Sequence, residues 1–339
     1  MNLFIVGTPH QLHQVGHALA YFNIQPDNAL ILIVCHGEDI ARFSAALEHL
    51  RIANVSHFEP WTFRDVLSGT TNHRKYIDHI RSLAASLRVE GLFVSHYDSD
   101  PEVIACSVLR SDRPPYLLDE GNASFYVNEK RNSPASRVQF ALKNLIKSAV
   151  YRFSLRRPKS LVFFSQYTFS PCSNDRLLTY TPSRTAIADS ASVVDDHVVH
   201  FIGSSVVEMG VIAGSVYLAL LALVKAFFAE KEVIYYAHRK ESGVNLERIR
   251  QIGFVVRQED SPYEKHLLAQ QAFPGCIASF YFSSALYKIE TDYILPSSLT
   301  MFYFDANRLL VQREIYGEIY RCMLGRSSAT QVVIPDHEY

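Results

Sequence analysis

Residues 3–35 read LFIVGTPHQLHQVGHALAYFNIQPDNALILIVC, which is an apolar run, an amphipathic stretch and a second apolar run. The short runs at residues 3–6 and 30–35 are typical of buried strands. Residues 10–21 between them carry apolar side chains at helical spacing. A strand, a helix and a second strand in this order form the βαβ unit of a parallel sheet. The segment therefore predicts the start of a doubly wound α/β domain.

The same alternation continues along the chain and then starts again. The first half predicts further strands at residues 91–95, 116–118 and 161–164, and helices at 39–50, 75–87 and 101–109. The second half predicts strands at 198–202, 233–236, 254–257 and 275–280, and helices at 215–229, 245–252, 263–272 and 312–324.

The stretch between the two alternating regions is rich in Ser, Thr, Asp and Pro, which marks a linker. We therefore predict an N-terminal Rossmann-like domain at residues 1–170, a linker at 171–196 and a C-terminal Rossmann-like domain at 197–339. Two such domains facing a central cleft form the GT-B plan. The end of the chain is expected to pack back on the N-terminal domain.

Composition limits the class of protein. The length of 339 residues fits two domains of about 150 residues each, and 48% hydrophobic with 20% charged residues is ordinary for a globular protein. A net charge of -1 argues against a nucleic-acid partner. Five scattered cysteines without ligand spacing, and a start that resembles a strand more than a signal peptide, favour a reducing, cytoplasmic location.

Residues 209–228 are mostly apolar and nearly as long as a membrane span. Lys225 interrupts the run, and Tyr217, Leu220, Leu221 and Val224 fall on one helical face. This pattern favours a core helix over a membrane anchor.

Residues 130–159 contain nine Lys or Arg residues and no acidic residue. Ser133 and Pro134 predict the start of a helix there, with Val138, Leu142 and Leu145 on its inner side. The basic side is either a solvated face or a surface for peripheral contact with an anionic inner membrane or with an acidic glycan.

In open α/β sheets, ligands bind beyond the carboxyl ends of the strands. Asp119, Glu120 and Gly121 directly follow an apolar strand. Asp119 is therefore a candidate general base, with Glu120 orienting it or the acceptor and Gly121 allowing a sharp turn. Two acids before a glycine are also a common turn signal.

Other polar residues follow predicted strands of the second domain. His238, beside Arg239, ends an apolar run and is suited to contact a phosphate or to protonate a leaving group. Ser283 and Ser284 precede a helix whose N-terminus can bind an anion. The ordinary interpretations are a structural histidine and a helix cap.

Two further patterns have stronger structural alternatives. Ser261, Pro262 and Glu264 form a capping-box pattern, in which Glu264 is also able to hold a ribose hydroxyl. Asp98 and Asp100 have the spacing of a metal-binding Asp-x-Asp pair, but they precede Pro101 and do not occupy a clear strand end. We expect no metal site.

In combination, these motifs resemble the bacterial sialyltransferases of glycosyltransferase family 52 and the related polysialyltransferases. The similar segments are residues 118–121, residues 201–203 including Gly203 and followed by Glu208, residues 235–241, residues 262–264 and residues 283–286. Residues 6–12, with Gly7, Thr8 and Gln11, resemble the first strand and loop of that family.

The resemblance implies that Asp119 is the base, with Glu120 as its neighbour, and that His238 is the general acid and phosphate contact. It implies that Ser283 and Ser284 bind phosphate. The implied reaction is an inverting transfer from CMP-sialic acid, with no cofactor and no obligatory metal. The family usually has Pro after the histidine, whereas this chain has Arg239, which offers a second phosphate contact.

The sequence thus predicts a cytoplasmic enzyme that uses a CMP-sugar donor and a glycan acceptor of lipooligosaccharide or capsule. Three alternatives remain open. The first is an enzyme that uses a different donor, a UDP-hexose or CMP-Kdo, because a scaffold does not determine specificity. The second is a non-catalytic nucleotide-sugar-binding or capsule-assembly protein, and the third is a protein anchored in a membrane through residues 209–228.

Overall fold

The computed structural model describes residues 1–109, 113–119, 121–186, 193–259, 263–270, 272–325 and 327–335. The chain forms two compact units, Met1–Tyr180 and Thr181–Tyr339. The segment predicted as a linker, residues 171–196, contains the unit boundary but also forms strands on both sides of it.

The first unit is built on a seven-stranded parallel sheet with the order β3-β2-β1-β4-β5-β6-β7. Its strands are β1 Asn2–Val6, β2 Ala29–Val34, β3 Val55–Phe58, β4 Gly91–Val94, β5 Tyr116–Leu118, β6 Val162–Ser165 and β7 Arg176–Thr179. Its helices are α1 Pro9–Tyr21, α2 Ser44–Leu50, α3 Phe63–Leu67, α4 Asn72–Ser86, α5 Asp100–Leu109, α6 Ala123–Asn132 and α7 Pro134–Tyr151.

Both faces of this sheet are covered, as parallel sheets require. On one face α4 and α5 bury Tyr76, Ile80 and Ile104 against the strands. On the other face α1 buries Leu12 and Val15. The apolar runs of the sequence are continuous because the strands have no solvent-facing side.

The second unit contains a six-stranded parallel sheet with the order β11-β10-β9-β12-β14-β15, and a two-stranded sheet of β8 and β13. Its strands are β8 Thr185–Ala186, β9 Val193–Ile202, β10 Glu232–Ala237, β11 Val255–Gln258, β12 Ala272–Phe280, β13 Tyr293–Ile294, β14 Ser298–Tyr303 and β15 Thr330–Val333. Its helices are α8 Gly214–Phe227, α9 Gly243–Gln251, α10 Tyr263–Leu268, α11 Ser284–Asp292 and α12 Arg313–Leu324.

The two strand orders confirm the predicted α/β class with two Rossmann-like doubly wound units. The alternation did not predict β3 and β7, because they are the edge strands of the first sheet. Their side chains are mostly half-buried or exposed, so they lack the apolar run of a central strand. β15 completes the second sheet beside β14. The expected return of the chain end to the first domain stays a prediction.

Helix α8 occupies most of the apolar segment 209–228. Its buried residues are Tyr217, Leu220, Leu221 and Val224, so the predicted core-facing side is confirmed. Within the described ranges, no helix combines the length and the apolar character needed to cross a membrane.

The predicted orientation of α7 is wrong. Its Ser133 cap is present, since Ser133 Oγ accepts a hydrogen bond from the Ser136 N–H at 3.3 Å. However, Val138, Leu142 and Leu145, which were expected to face the core, are exposed. The helix packs through its opposite side, where Phe140 is half-buried and Tyr151 is buried.

The basic segment 130–159 does not present all its charge to solvent. Arg131 is buried, and its guanidinium donates to both carboxylate oxygens of Asp175 at 2.5 and 2.6 Å and to Tyr97 Oη at 2.7 Å. Lys147 pairs with Asp100, and Lys130 lies 3.4 Å from Asp98. Part of the basic run is therefore structural.

Removing the anion of the Arg131–Asp175 pair is expected to destabilise the first unit. Asp175→Asn leaves a buried guanidinium without its counter-charge, which typically costs about 3–5 kcal/mol. We expect the urea unfolding midpoint to fall strongly. Glu247→Gln, which removes the anion of the exposed Arg250–Glu247 pair, serves as the control and should leave the midpoint in place. Equal midpoints for the two variants would contradict the assigned role.

Candidate functional site

The second sheet has its switch point between β9 and β12, because the strands that follow each of them extend in opposite directions from this pair. All three strands β10, β9 and β12 are parallel, so their carboxyl ends lie at one edge. Gly203 directly follows β9, His238 directly follows β10, and Ser283 lies three residues after β12. The strand order therefore brings these predicted donor-binding residues to neighbouring strand ends.

His238 is exposed in a tight turn. Its backbone N–H donates to Glu241 Oε2 at 2.6 Å, and the Lys240 N–H approaches the imidazole Nδ1 at 3.2 Å. Because Nδ1 accepts this hydrogen bond, the neutral ring carries its proton on Nε2. Desolvation, together with the charges of Lys240 and Arg239, lowers the pKa of His238. At neutral pH the ring is thus a neutral donor through Nε2–H.

Glu241 is the buried anchor of this turn, and sequence reasoning did not assign it a role. Its Oε1 accepts from the Tyr235 hydroxyl at 2.6 Å, and that hydroxyl lies 3.0 Å from the Tyr217 hydroxyl. Burial raises the pKa of Glu241 to about 7. An acid three residues after a strand-end histidine was the available sequence signal, because that spacing closes a turn.

Gly203 is buried and makes space for Tyr235. A Cβ at Gly203 would lie 2.5 Å from both the Oη and the Cζ of Tyr235, which is well inside van der Waals contact. Gly203 thereby permits the Tyr235–Glu241 hydrogen bond that holds the His238 turn. Its observed role is steric.

Glu208 anchors the start of the next helix. Its Oε1 accepts from the Ser242 N–H at 2.8 Å and from Asn245 Nδ2 at 2.7 Å, at the start of α9. Desolvation acts to raise the pKa of Glu208, but these hydrogen bonds outweigh it and hold the pKa below its ordinary value.

The other predicted donor-binding residues differ in exposure. Ser283 is the N-cap of α11 and is buried, with its Oγ accepting from the Leu286 N–H at 3.3 Å, whereas Ser284 is exposed in the first turn. Arg239 is exposed beside His238, and Glu264 is half-buried in α10. Ser261 and Pro262 of the predicted capping box lie outside the described residues.

In the first unit, Asp119 follows β5 and is buried. Its carboxylate accepts from Ser124 Oγ at 2.9 Å, Ser165 Oγ at 2.9 Å and the Gln166 N–H at 3.1 Å. These bonds join the ends of β5 and β6. Gly121 has a φ of +61°, which explains why glycine suits the turn. Glu120 lies outside the described residues.

The switch point of the first sheet, between β1 and β4, carries a histidine that the sequence reasoning missed. The Gln11 side-chain oxygen accepts from the N–H groups of Gly7 and Thr8 at 2.6 and 3.2 Å. This orients the Gln11 amide nitrogen, which lies 3.0 Å from Nε2 of the exposed His96. His96 directly follows Ser95 at the end of the predicted strand, which was its signal.

A cavity of about 220 Å³ lies beside these residues in the first unit. It opens at the carboxyl ends of β4 and β5. Its polar lining includes Ser95, His96, Asp98, Ser124 and Lys130. Hydroxyl, carboxylate, imidazole and ammonium groups around such a volume are suited to a small polyhydroxylated ligand.

Gly203→Ala is expected to displace Tyr235 and loosen the His238 turn. Overpacking of this kind typically costs about 1–3 kcal/mol. We expect a lower melting temperature for Gly203→Ala. The matched control is Gly243→Ala, because a Cβ at Gly243 would meet no atom within 4 Å. If Gly203→Ala melts as late as the control, the steric role is wrong.

The raised pKa of Glu241 predicts a pH dependence of stability. The folded state binds this proton more tightly than the unfolded state, so its contribution is present below a pH of about 4.5 and declines as pH rises to about 7. Comparing wild type with Glu241→Gln in urea unfolding between pH 5 and 8 should show a steeper loss of stability with pH in the wild type. Parallel profiles would contradict this assignment.

The sequence matches no protein-family model and no curated protein. Similar solved structures include the spinosyn forosaminyltransferase SpnP, with a TM-score of 0.47, 10% identity and coverage of 98% of this chain and 86% of that chain. MurG of Acinetobacter baumannii has a TM-score of 0.44 and 9% identity, with coverage of 98% of this chain and 85% of that chain. UGT89C1 of Arabidopsis thaliana has a TM-score of 0.46 and 12% identity, with coverage of 98% of this chain and 84% of that chain. The fold class assigned above rests on the strand order and register of this chain.

Proposed function

We propose that the protein is a GT-B glycosyltransferase that transfers sialic acid, or a related nonulosonic acid, from its CMP derivative to a terminal sugar of lipooligosaccharide or capsule. The observation that supports this most is the order β10-β9-β12, which brings His238, Gly203 and Ser283 to neighbouring strand ends. These residues belong to three of the four motifs of the second unit that resemble the sialyltransferase family.

In this proposal the second unit binds the donor. The Nε2–H of His238 and the guanidinium of Arg239 contact the phosphate, and the N-terminus of α11 with Ser284 offers further donors. Glu264 is assigned to the ribose. As the bond between the anomeric carbon and the phosphate oxygen breaks, negative charge develops on CMP. Donors already held in place by the Glu241 turn stabilise that charge.

The first unit is assigned to the acceptor. The acceptor oxygen forms the new bond to the anomeric carbon on the face opposite CMP, and its proton passes to a base. Asp119 is the proposed base, oriented by Ser124 and Ser165. His96 is proposed to position the acceptor hydroxyl, because its Nε2 is engaged by Gln11 and its Nδ1 then carries the proton. No metal or cofactor is required.

CMP release tests this proposal. Purified protein with CMP-sialic acid and lactose-terminated acceptors should release CMP only when acceptor is present. His238→Ala should lower kcat by about 10²–10³-fold, as for loss of one preorganised donor to the developing charge. Asp119→Asn should lower kcat similarly, whereas His96→Ala should mainly raise the acceptor KM. His197→Ala, an exposed histidine outside the proposed site, is the matched control and should be fully active.

The alternatives give different results in the same assay. Turnover with a UDP-hexose or CMP-Kdo but not with CMP-sialic acid would support glycosyltransferase activity and contradict the proposed donor. Nucleotide-sugar binding that His238→Ala leaves intact, without turnover of any donor, would favour a non-catalytic capsule-assembly protein. Melting temperatures of all variants distinguish loss of chemistry from loss of folding.

A further inference from the structure

Helix α7 presents an apolar stripe to solvent. Val138 is 71% exposed, Leu142 58%, Leu145 69% and Ile146 51%. Their successive spacings of four, three and one residues place them on one side of the helix. Isolated exposed apolar residues are normal, but four large ones on one face of one helix mark an interaction surface.

Cations border this stripe on both sides. At about 100° per residue, Lys143 lies about 60° beyond Ile146 and Arg137 about 80° beyond Leu145, on opposite sides of the apolar arc. Both are exposed. The remaining face, with Phe140 and Tyr151, packs on the first unit. The helix therefore has an inner face, two cationic borders and an outward apolar stripe.

The segment that contains the helix supplies no acidic residue of its own. The sequence from 130 to 159 has none, and the exposed Arg152 and Arg156 extend the basic surface beyond the end of α7. The acidic partners seen nearby, Asp98 and Asp100, pair with Lys130 and Lys147. The cations next to the apolar stripe are thus not those used to hold α7 in place.

We propose that α7 is an interfacial helix that lies on an anionic phospholipid surface. The apolar stripe enters the acyl boundary, while Arg137 and Lys143 remain at the level of the headgroups, where their charge meets lipid phosphate. Charge complementarity favours this occupant over a second copy of the chain. A symmetric pairing of two α7 faces would oppose like charges.

Vesicle co-sedimentation of the full chain tests the proposal. The protein should bind vesicles of phosphatidylcholine and phosphatidylglycerol, and bind pure phosphatidylcholine much less. Leu142→Ser combined with Leu145→Ser should weaken partitioning at least about tenfold through loss of buried apolar surface. Arg137→Gln combined with Lys143→Gln should weaken it about thirtyfold, since each cation near the surface contributes about a factor of five.

The matched control is Leu310→Ser combined with Val311→Ser, because these apolar residues are also exposed but lie in the second unit. It should bind like the wild type. Equal binding of the leucine pair variant and this control would overturn the proposal, as would no binding to anionic vesicles. Concentration-dependent dimerisation that the same leucine substitutions abolish, without vesicle binding, would assign the stripe to a second copy and also overturn it.

The substitutions lie on the solvent side of α7, so melting temperatures should match the wild type. Vesicle binding is measured without enzyme turnover, so its result is independent of whether the proposed glycosyl transfer is correct.

Discussion

Parallel pairing of β9 with β10 on one side and β12 on the other is the constraint on which the second unit depends. Parallel strands place all their carboxyl ends at one edge, and helices must return the chain across the faces. Residues far apart in sequence, such as Gly203 and Ser283, consequently lie at the same edge of the sheet. The same logic in the first sheet brings Gln11, His96 and Asp119 to successive strand ends.

Within that edge, one buried series of contacts defines the position of His238. Because Gly203 has no side chain, there is room for the Tyr235 ring. The Tyr235 hydroxyl donates to one carboxylate oxygen of Glu241. The other carboxylate oxygen accepts from the backbone N–H of His238. A buried carboxylate thus restricts the backbone at His238, and the next residue, Arg239, is an exposed cation.

The sequence predicted most central strands and several strand-end residues, because strands buried on both faces are continuous apolar runs that end abruptly at polar residues. It did not predict β14, a central strand that is buried only from its third residue onward. It failed for β3 and β7, where half-exposed edges mix polar and apolar residues. It also failed for α7, because periodicity reveals an apolar stripe but not whether another element covers it. Asp175, which holds Arg131, is distant in sequence, so their pairing had no local signal.

The Gln11 side chain contacts both the start of α1 and the loop after β4. Its oxygen receives the N–H groups of Gly7 and Thr8, as part of the capping box that begins α1, and its nitrogen meets His96. The first turn of α1 and the loop after β4 are therefore parts of one cooperative unit. Any local opening that frays the start of α1 also breaks the Gln11–His96 contact, so local unfolding of the helix start is coupled to the loop after β4.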